Sequence, residues 1–160
     1  MVFLGSHTNR LDAKGRVSVP APFRTALRQG GDAGAGANQV PQLILRPSHL
    51  HSCIEAWPPA QFATLAAPLA QYSLLSEEHQ DLAASLYADA FPVEADKEGR
   101  ILIPDHLVKH AGLSDAVLFM GMGATFQIWE PMAAEQRRAE ARIRARGLAP
   151  APGTVAGVAA

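Results

Sequence analysis

The sequence predicts a β-rich α+β chain in which one structural unit is written twice. Three observations carry that prediction. "DAKGR" at residues 12–16 and "DKEGR" at 96–100 share Asp-x-x-Gly-Arg, and each runs into an alternating apolar stretch that ends in proline, "VSVP" and "ILIP". Further on, "CIEAWPP" around Trp57 is echoed by "FQIWEP" around Trp129. An Ala/Leu-rich helical stretch lies between the two sets of signals.

The repeat has a definite register. Asp12, Gly15, Arg16 and Pro20 return as Asp96, Gly99, Arg100 and Pro104 at an offset of 84, whereas the tryptophans stand 72 apart. The missing 12 residues fall in "RQGGDAGAGANQVPQ", a Gly/Ala-rich stretch without hydrophobic period that reads as an enlarged surface loop.

Each element follows from local chemistry. "SHTNRL" reads as a strand and "DAKG" as a tight turn, in which Asp12 bonds its own downstream backbone and Gly15 takes a positive φ. "RVSV" alternates, with Val17 and Val19 on one face and Arg16 and Ser18 on the other. Pro20 opens a short helix carrying Phe23 and Leu27, stopped by Gly30 and Gly31. "IPDHLVKHAGL" repeats that helix, with Asp105 in its first turn and Gly112 at its end. A strand follows in each unit ("QLILRP", "AVLFMG"), then another reaching Trp57 or Trp129. In the connection, "PAQFATLAAPLAQYSLL" is helical and interrupted by Pro68. "SEEHQDLAASLYADAF" opens with Ser76 as N-cap and sets Leu82 and Leu86 on one side. "MAAEQRRAEARIRAR" predicts a last helix ended by Gly147, and "LAPAPGTVAGVAA" is low-complexity and expected to lack fixed structure.

Composition bounds the function. With 48% hydrophobic and 18% charged residues the chain can bury a core. No apolar run reaches the eighteen or so residues of a membrane span, and the N-terminus does not read as a secretory signal. A lone cysteine, Cys53, excludes an internal disulfide and fits a reducing compartment, so the expected location is the cytoplasm. Net charge is −1, which alone argues against nucleic acid, but residues 1–31 carry five basic groups against Asp12. Residues 32–96 hold Arg46 against eight acids. Whole-chain charge therefore conceals a basic end clustered about the first turn.

That turn is the candidate site. A hairpin tip fixes Arg16 on a rigid strand end, where arginine can make two bonds to guanine N7 and O6 in the major groove. Lys14, Arg10 and Arg24 are candidates for phosphate contacts. The second tip offers Arg100 and Lys97, but with Glu94 and Glu98 nearby its charge suits DNA less and its role is partly structural.

Other chemistries are weaker. His49, His51 and Cys53 alternate, would share one face of a strand and could ligate zinc, but no fourth ligand stands at a fitting spacing. The expectation is therefore a half-buried strand and no metal or other cofactor. "GDAGAGA" and "GMGATF" lack the endings of nucleotide-binding loops, and no nucleophile elbow accompanies Ser18 or Cys53. The arginine-rich last helix reads first as a solvated face interleaved with Glu135 and Glu140, with a subunit contact or an auxiliary nucleic-acid surface as the alternatives.

"FLGSHTNRLDAKGRVSVPAPFR" and "DKEGRILIPDHLVKHAGLSDAVLFMGMGATFQIW" together resemble the MraZ family of bacterial regulators, built from two SpoVT-AbrB-type units. The resemblance spans about residues 3–135. It implies two tandem swapped-hairpin units forming an intrachain pseudo-dimer. They would occupy residues 6–61 and 90–133, joined by a helical connection at 62–89 and followed by a helix at 134–147 and a tail at 148–160. It implies a closed homo-oligomeric ring, nucleoid-associated and without membrane or catalytic role. The ring would bind short G-rich direct repeats of double-stranded DNA upstream of the division and cell-wall genes, its own included. The family's Asp-x-x-x-Arg motifs fall on Asp12 with Arg16 and on Asp96 with Arg100. Two departures are the insertion after Arg28 and Gln127, where an acid is common. The rival readings are an antitoxin-like protein-interaction module and a small β-barrel enzyme using His49, His51 and Cys53.

Overall fold

A computed structural model describes residues 2–30 and 40–148. Among the described residues, eight strands and six helical segments follow one another in the order the repeat predicts. The first unit contains β1 (Ser6–Arg10), β2 (Arg16–Ser18), α1 (Ala21–Gln29), β3 (Gln42–Pro47) and β4 (Ile54–Trp57). The second contains β5 (Phe91–Glu94), β6 (Arg100–Leu102), α4 (Asp105–His110), β7 (Ala116–Gly121) and β8 (Phe126–Trp129), followed by α5 (Pro131–Ala145). Between them lie α2 (Pro59–Ala63), a 3₁₀ segment (Thr64–Gln71) and α3 (Glu77–Tyr87). Most of the predicted Gly/Ala-rich loop and nearly all of the predicted tail lie outside the described residues.

The helix ends obey their sequence signals. Prolines 20, 58 and 104 precede the first residues of α1, α2 and α4, where a fixed φ costs nothing and the missing N–H is not needed. Ser76 caps α3 by accepting from His79 N. Gly112, at φ 63°, closes α4: its N–H reaches Lys109 O while Leu113 N reaches Val108 O, satisfying two carbonyls at the helix end. Around Pro68 the chain runs as 3₁₀ rather than α, since proline cannot donate into an i→i−4 ladder and its ring would meet the preceding turn.

The strands form two sheets. The larger has six strands in the order β1-β7-β8-β4-β3-β5, and every pairing in it is antiparallel. The smaller is the antiparallel ribbon β2-β6. Strands pair between units: β1 with β7, β5 with β3, β4 with β8 and β2 with β6. The registers are symmetric under the repeat. Val17 pairs with Ile101, its own counterpart, and Glu55 pairs with Gln127, again its counterpart.

One face of the large sheet packs Leu43, Leu45, Ile54, Ala56, Val117, Phe119, Phe126 and Ile128 against the ribbon's Val17 and Ile101 and the helix residues Phe23 and Leu107. Fully burying such a side chain contributes roughly 1.5–3 kcal/mol, so the ribbon is anchored by its inner face and its outer face is left to solvent. Phe3, Phe23, Phe119 and Phe126 form an aromatic cluster with centroid separations from 4.8 to 6.4 Å. On the opposite sheet face, Leu118, Met120 and Trp129 pack with Cys53 beneath Ala134 of α5.

One expectation fails. Residues 48–53 are the loop joining β3 to β4, not a strand. After Pro47, the Ser48 hydroxyl accepts from Leu50 N and His51 N, and Ser48 N donates to Cys53 O, which turns the chain. The three candidate ligands diverge as a result. His49 Nε2 lies 3.2 Å from Ser85 Oγ, His51 packs against the Trp129 ring, and Cys53 is buried. Burial pushes the Cys53 thiol up to about 12.

Candidate nucleic-acid interface

The two turns are built alike. Asp12 N donates to Arg16 O and Gly15 N to Asp12 O, closing a three-residue loop whose glycine sits at φ 86°. Asp96, Arg100 and Gly99 repeat this, with φ 80° at the glycine. The aspartate then organises the loop. Asp12 Oδ1 accepts from Lys14 N at 2.9 Å and from Arg16 N at 2.8 Å, and its Oδ2 accepts from Arg16 Nε at 2.9 Å. Asp96 makes the same three bonds to Glu98 N, Arg100 N and Arg100 Nε at 2.9, 2.9 and 3.0 Å. The backbone N–H of the arginine is the largest of the influences that hold each carboxyl below its ordinary range.

Each turn is also fixed by the other unit. Ile103 N donates to Gly15 O at 2.8 Å, and Val19 N donates to Gly99 O at 2.9 Å. Both arginines therefore stand on the ribbon's outer face, tied at Nε by an aspartate. Their side chains are 40% and 38% exposed.

The turns differ in charge. Lys14 is exposed beside Arg16, and Arg16 has no second carboxylate partner among the described residues. At the second turn Glu98 occupies the position of Lys14, and its Oε2 lies 2.5 Å from Arg100 Nη2. The hydrogen bond that Arg100 donates to Asp96, the charge of Asp96 and that of Glu98 together raise the Arg100 pKa. Glu94 takes no part, bonding Gln42 Nε2 at 3.1 Å across the sheet.

The remaining candidates scatter. Arg10 is exposed at the end of β1, and Lys97 is exposed in the second turn. Arg24 is not at the first turn. The cross-unit pairing carries α1 over the second turn, where Arg24 Nη1 lies 3.5 Å from Glu98 O and its Nε is buried without a partner. A β-carbon on Gly99 would meet Arg24 Nη1 at 2.2 Å, so the close approach requires glycine. Val108, the counterpart of Arg24 in the repeat, lines instead an open groove of about 370 Å³ beside the first turn with Lys14, Leu102 and Asp105.

These features define a class: a small, strand-rich α+β protein with antiparallel sheets, in which a turn repeated in the sequence twice presents an aspartate-tied arginine. Residues 2–84 and 86–145 match the family model described as "MraZ protein, putative antitoxin-like". Similar proteins carry the name "Transcriptional regulator MraZ". That of Gluconacetobacter diazotrophicus is 63% identical, over 95% of this chain and 94% of its own length. That of Gluconobacter oxydans is 57% identical over 99% and 98%, and that of Xanthobacter autotrophicus 39% over 95% and 92%. The chain belongs to the MraZ family. No helix among the described residues is long and apolar enough to cross a membrane.

Proposed function

We propose that the chain is a transcription regulator that reads double-stranded DNA with the outer face of the β2-β6 ribbon. The observation that carries this reading is the duplicated turn, in which one aspartate holds each arginine by Nε, leaving the outer nitrogens of Arg16 without a second carboxylate among the described residues while Nη2 of Arg100 also meets Glu98. Those outer nitrogens are the pair that can meet guanine O6 and N7, and a two-stranded ribbon fits the major groove. Arg16 is the principal reader, Arg100 the weaker one, and Lys14, Arg10 and Lys97 contact phosphates. Arg24 acts at the second turn, where its charge partly offsets Glu98.

The symmetric registers favour a pseudo-dimer of swapped hairpins within one chain. Its two turns place few phosphate contacts on DNA, so binding by one chain is weak and readily eroded by salt. Several chains on one rigid assembly gain from effective concentration, which calls for direct repeats about one helical turn apart. The apolar surface such an assembly needs is present in the connection, where Tyr72, Leu74, Leu75 and Tyr87 are exposed. The antitoxin-like wording of the family description favours a second reading, a protein-binding module. That reading predicts no preference among DNA sequences.

A gel-shift titration with the DNA upstream of the chain's own gene tests the proposal. Binding that tightens steeply from one box to two in-phase boxes supports it. Equal affinity for that DNA and a scrambled duplex overturns it, and a monomer by light scattering overturns the assembly.

A further inference from the structure

The ribbon's backbone is nearly symmetric under the repeat, but its outer face is not. Four side chains share that face. Arg16 stands opposite Leu102, and Ser18 stands opposite Arg100. The repeat makes Leu102 and Ser18 counterparts, so one arginine has a leucine across from it and the other a serine.

A single exposed leucine is ordinary on a protein surface. The surroundings of Leu102 are not. It is 57% exposed on a strand whose neighbours Ile101 and Ile103 are buried. A β-carbon built on Gly15 would lie 3.6 Å from Leu102 Cδ1, so the side chain leans toward the first turn. It lines the groove beside Lys14, next to the turn whose arginine has no second carboxylate. An apolar group held there cannot hydrogen-bond any base edge. The one major-groove feature it can bury is the C5-methyl group of thymine. Ser18, with a hydroxyl that donates or accepts, imposes no such requirement.

Resting on the DNA-reading role proposed above, we infer that Leu102 is a specificity-determining residue. It packs on the methyl group of a thymine adjacent to the guanine read by Arg16. The two ends of the ribbon thus read different base steps: guanine with a neighbouring thymine at the Arg16 end, and a looser step at the Arg100 end.

The test uses the full-length protein. Duplexes are selected from a randomised pool, and each thymine of the selected sequence is then replaced singly by deoxyuridine, which lacks only the methyl group. The wild type should lose roughly threefold to fivefold in affinity at a thymine next to an essential guanine, the scale of one buried methyl. Leu102→Ala should bind the thymine and uracil duplexes equally while keeping its dependence on the guanine, and Ser18→Leu should acquire a new thymine preference at the other end. Both residues are exposed, and circular dichroism confirms that the variants fold. Equal wild-type affinity for thymine and uracil at every position overturns the inference, as does discrimination that survives Leu102→Ala. A wild type that selects no sequence from the pool overturns the DNA reading itself, a different outcome from the loss of methyl sensing alone.

Discussion

Between aspartate and glycine the first turn carries Ala13 and Lys14, and the second carries Lys97 and Glu98. The hydrogen bonds that shape the two loops agree to about a tenth of an ångström. Geometry is thus repeated while electrostatics is not. At the first turn the outer edge of the arginine has no second carboxylate among the described residues, and Lys14 stands exposed nearby. At the second that edge meets a carboxylate, and an arginine from the other unit lies over the glycine. The shared scaffold sets where an arginine can reach, and two residues inside the loop decide how strongly it attracts an anion. A duplicated fold can in this way specialise its halves without moving its backbone.

Removing the two arginines proposed as readers breaks the comparison most directly. Arg16→Ala keeps both backbone bonds to Asp12 and should cost about 1–3 kcal/mol in DNA binding without changing the circular dichroism spectrum. Arg100→Ala should cost less, because Glu98 already occupies part of its guanidinium edge. Fluorescence anisotropy at fixed salt measures both, and an equal or larger loss for Arg100 would reverse the ranking of the turns.

The glycines sharpen the structural half of the comparison. Both have positive φ, so alanine at either position should cost roughly 1–2 kcal/mol of backbone strain. Gly15→Ala meets Ile103 O at 3.0 Å and Leu102 Cδ1 in ordinary contact at 3.6 Å, whereas Gly99→Ala must displace Arg24, whose Nη1, Cδ and Cζ lie at 2.2, 2.6 and 2.8 Å. Thermal melting should therefore fall further for Gly99→Ala. A larger drop for Gly15→Ala would mean that Arg24 does not rest on the second turn in solution.

Exchanging the charges has a smaller effect. Lys14→Glu gives Arg16 the carboxylate that Arg100 has, and Glu98→Lys frees Arg100. The first should weaken DNA binding severalfold and the second should strengthen it, each changing the salt-dependence slope by about one phosphate contact. Affinity measured from low to moderate salt reads both slopes, and parallel salt curves for wild type and variants would remove these positions from the interface.

Much of this was open to reading from the residues, and the parts that were not have a common cause. Alternation placed Val17 and Val19 inside and Arg16 outside, proline and glycine marked the helix ends, and the repeat supplied the order of elements. Local pattern fails where partners are far apart in sequence. Arg24 is eight residues from Arg16 yet lies over Gly99, because β1 and β2 pair with strands of the other unit and carry α1 with them. Leu102 and Ser18 gain meaning only from the β2-β6 register. His49, His51 and Cys53 alternate as a strand would, but the Ser48 hydroxyl bonds the following backbone and turns the chain first.

The smallest effect concerns the aspartates and tests whether the loops are as alike in solution as their bonds imply. Both Asp12 and Asp96 are held below the ordinary carboxylate value of 3.8, first by the arginine backbone N–H, against the opposing effect of desolvation, and further by the arginine side chain and a second N–H. The residue that differs most between the turns acts on the carboxyl only through its backbone N–H, in Lys14 as in Glu98, so the two carboxyls should titrate close together. The sign follows from linkage: a carboxyl whose folded pKa is depressed contributes stability above its unfolded value, and that contribution is lost as pH falls through the folded pKa. The loops should accordingly stay closed at neutral pH and open only below the usual carboxylate range. Side-chain carboxyl shifts followed by NMR should give both midpoints under 3.8, with the Lys14, Arg16, Glu98 and Arg100 amide signals moving over the same interval. Asp12→Asn keeps an acceptor for the two backbone donors but loses the ion pair, so it should remove the pH dependence at the first turn and leave the second untouched. A midpoint at or above 3.8 for one aspartate alone would show that its loop is open in solution and that the two turns differ in shape as well as in charge.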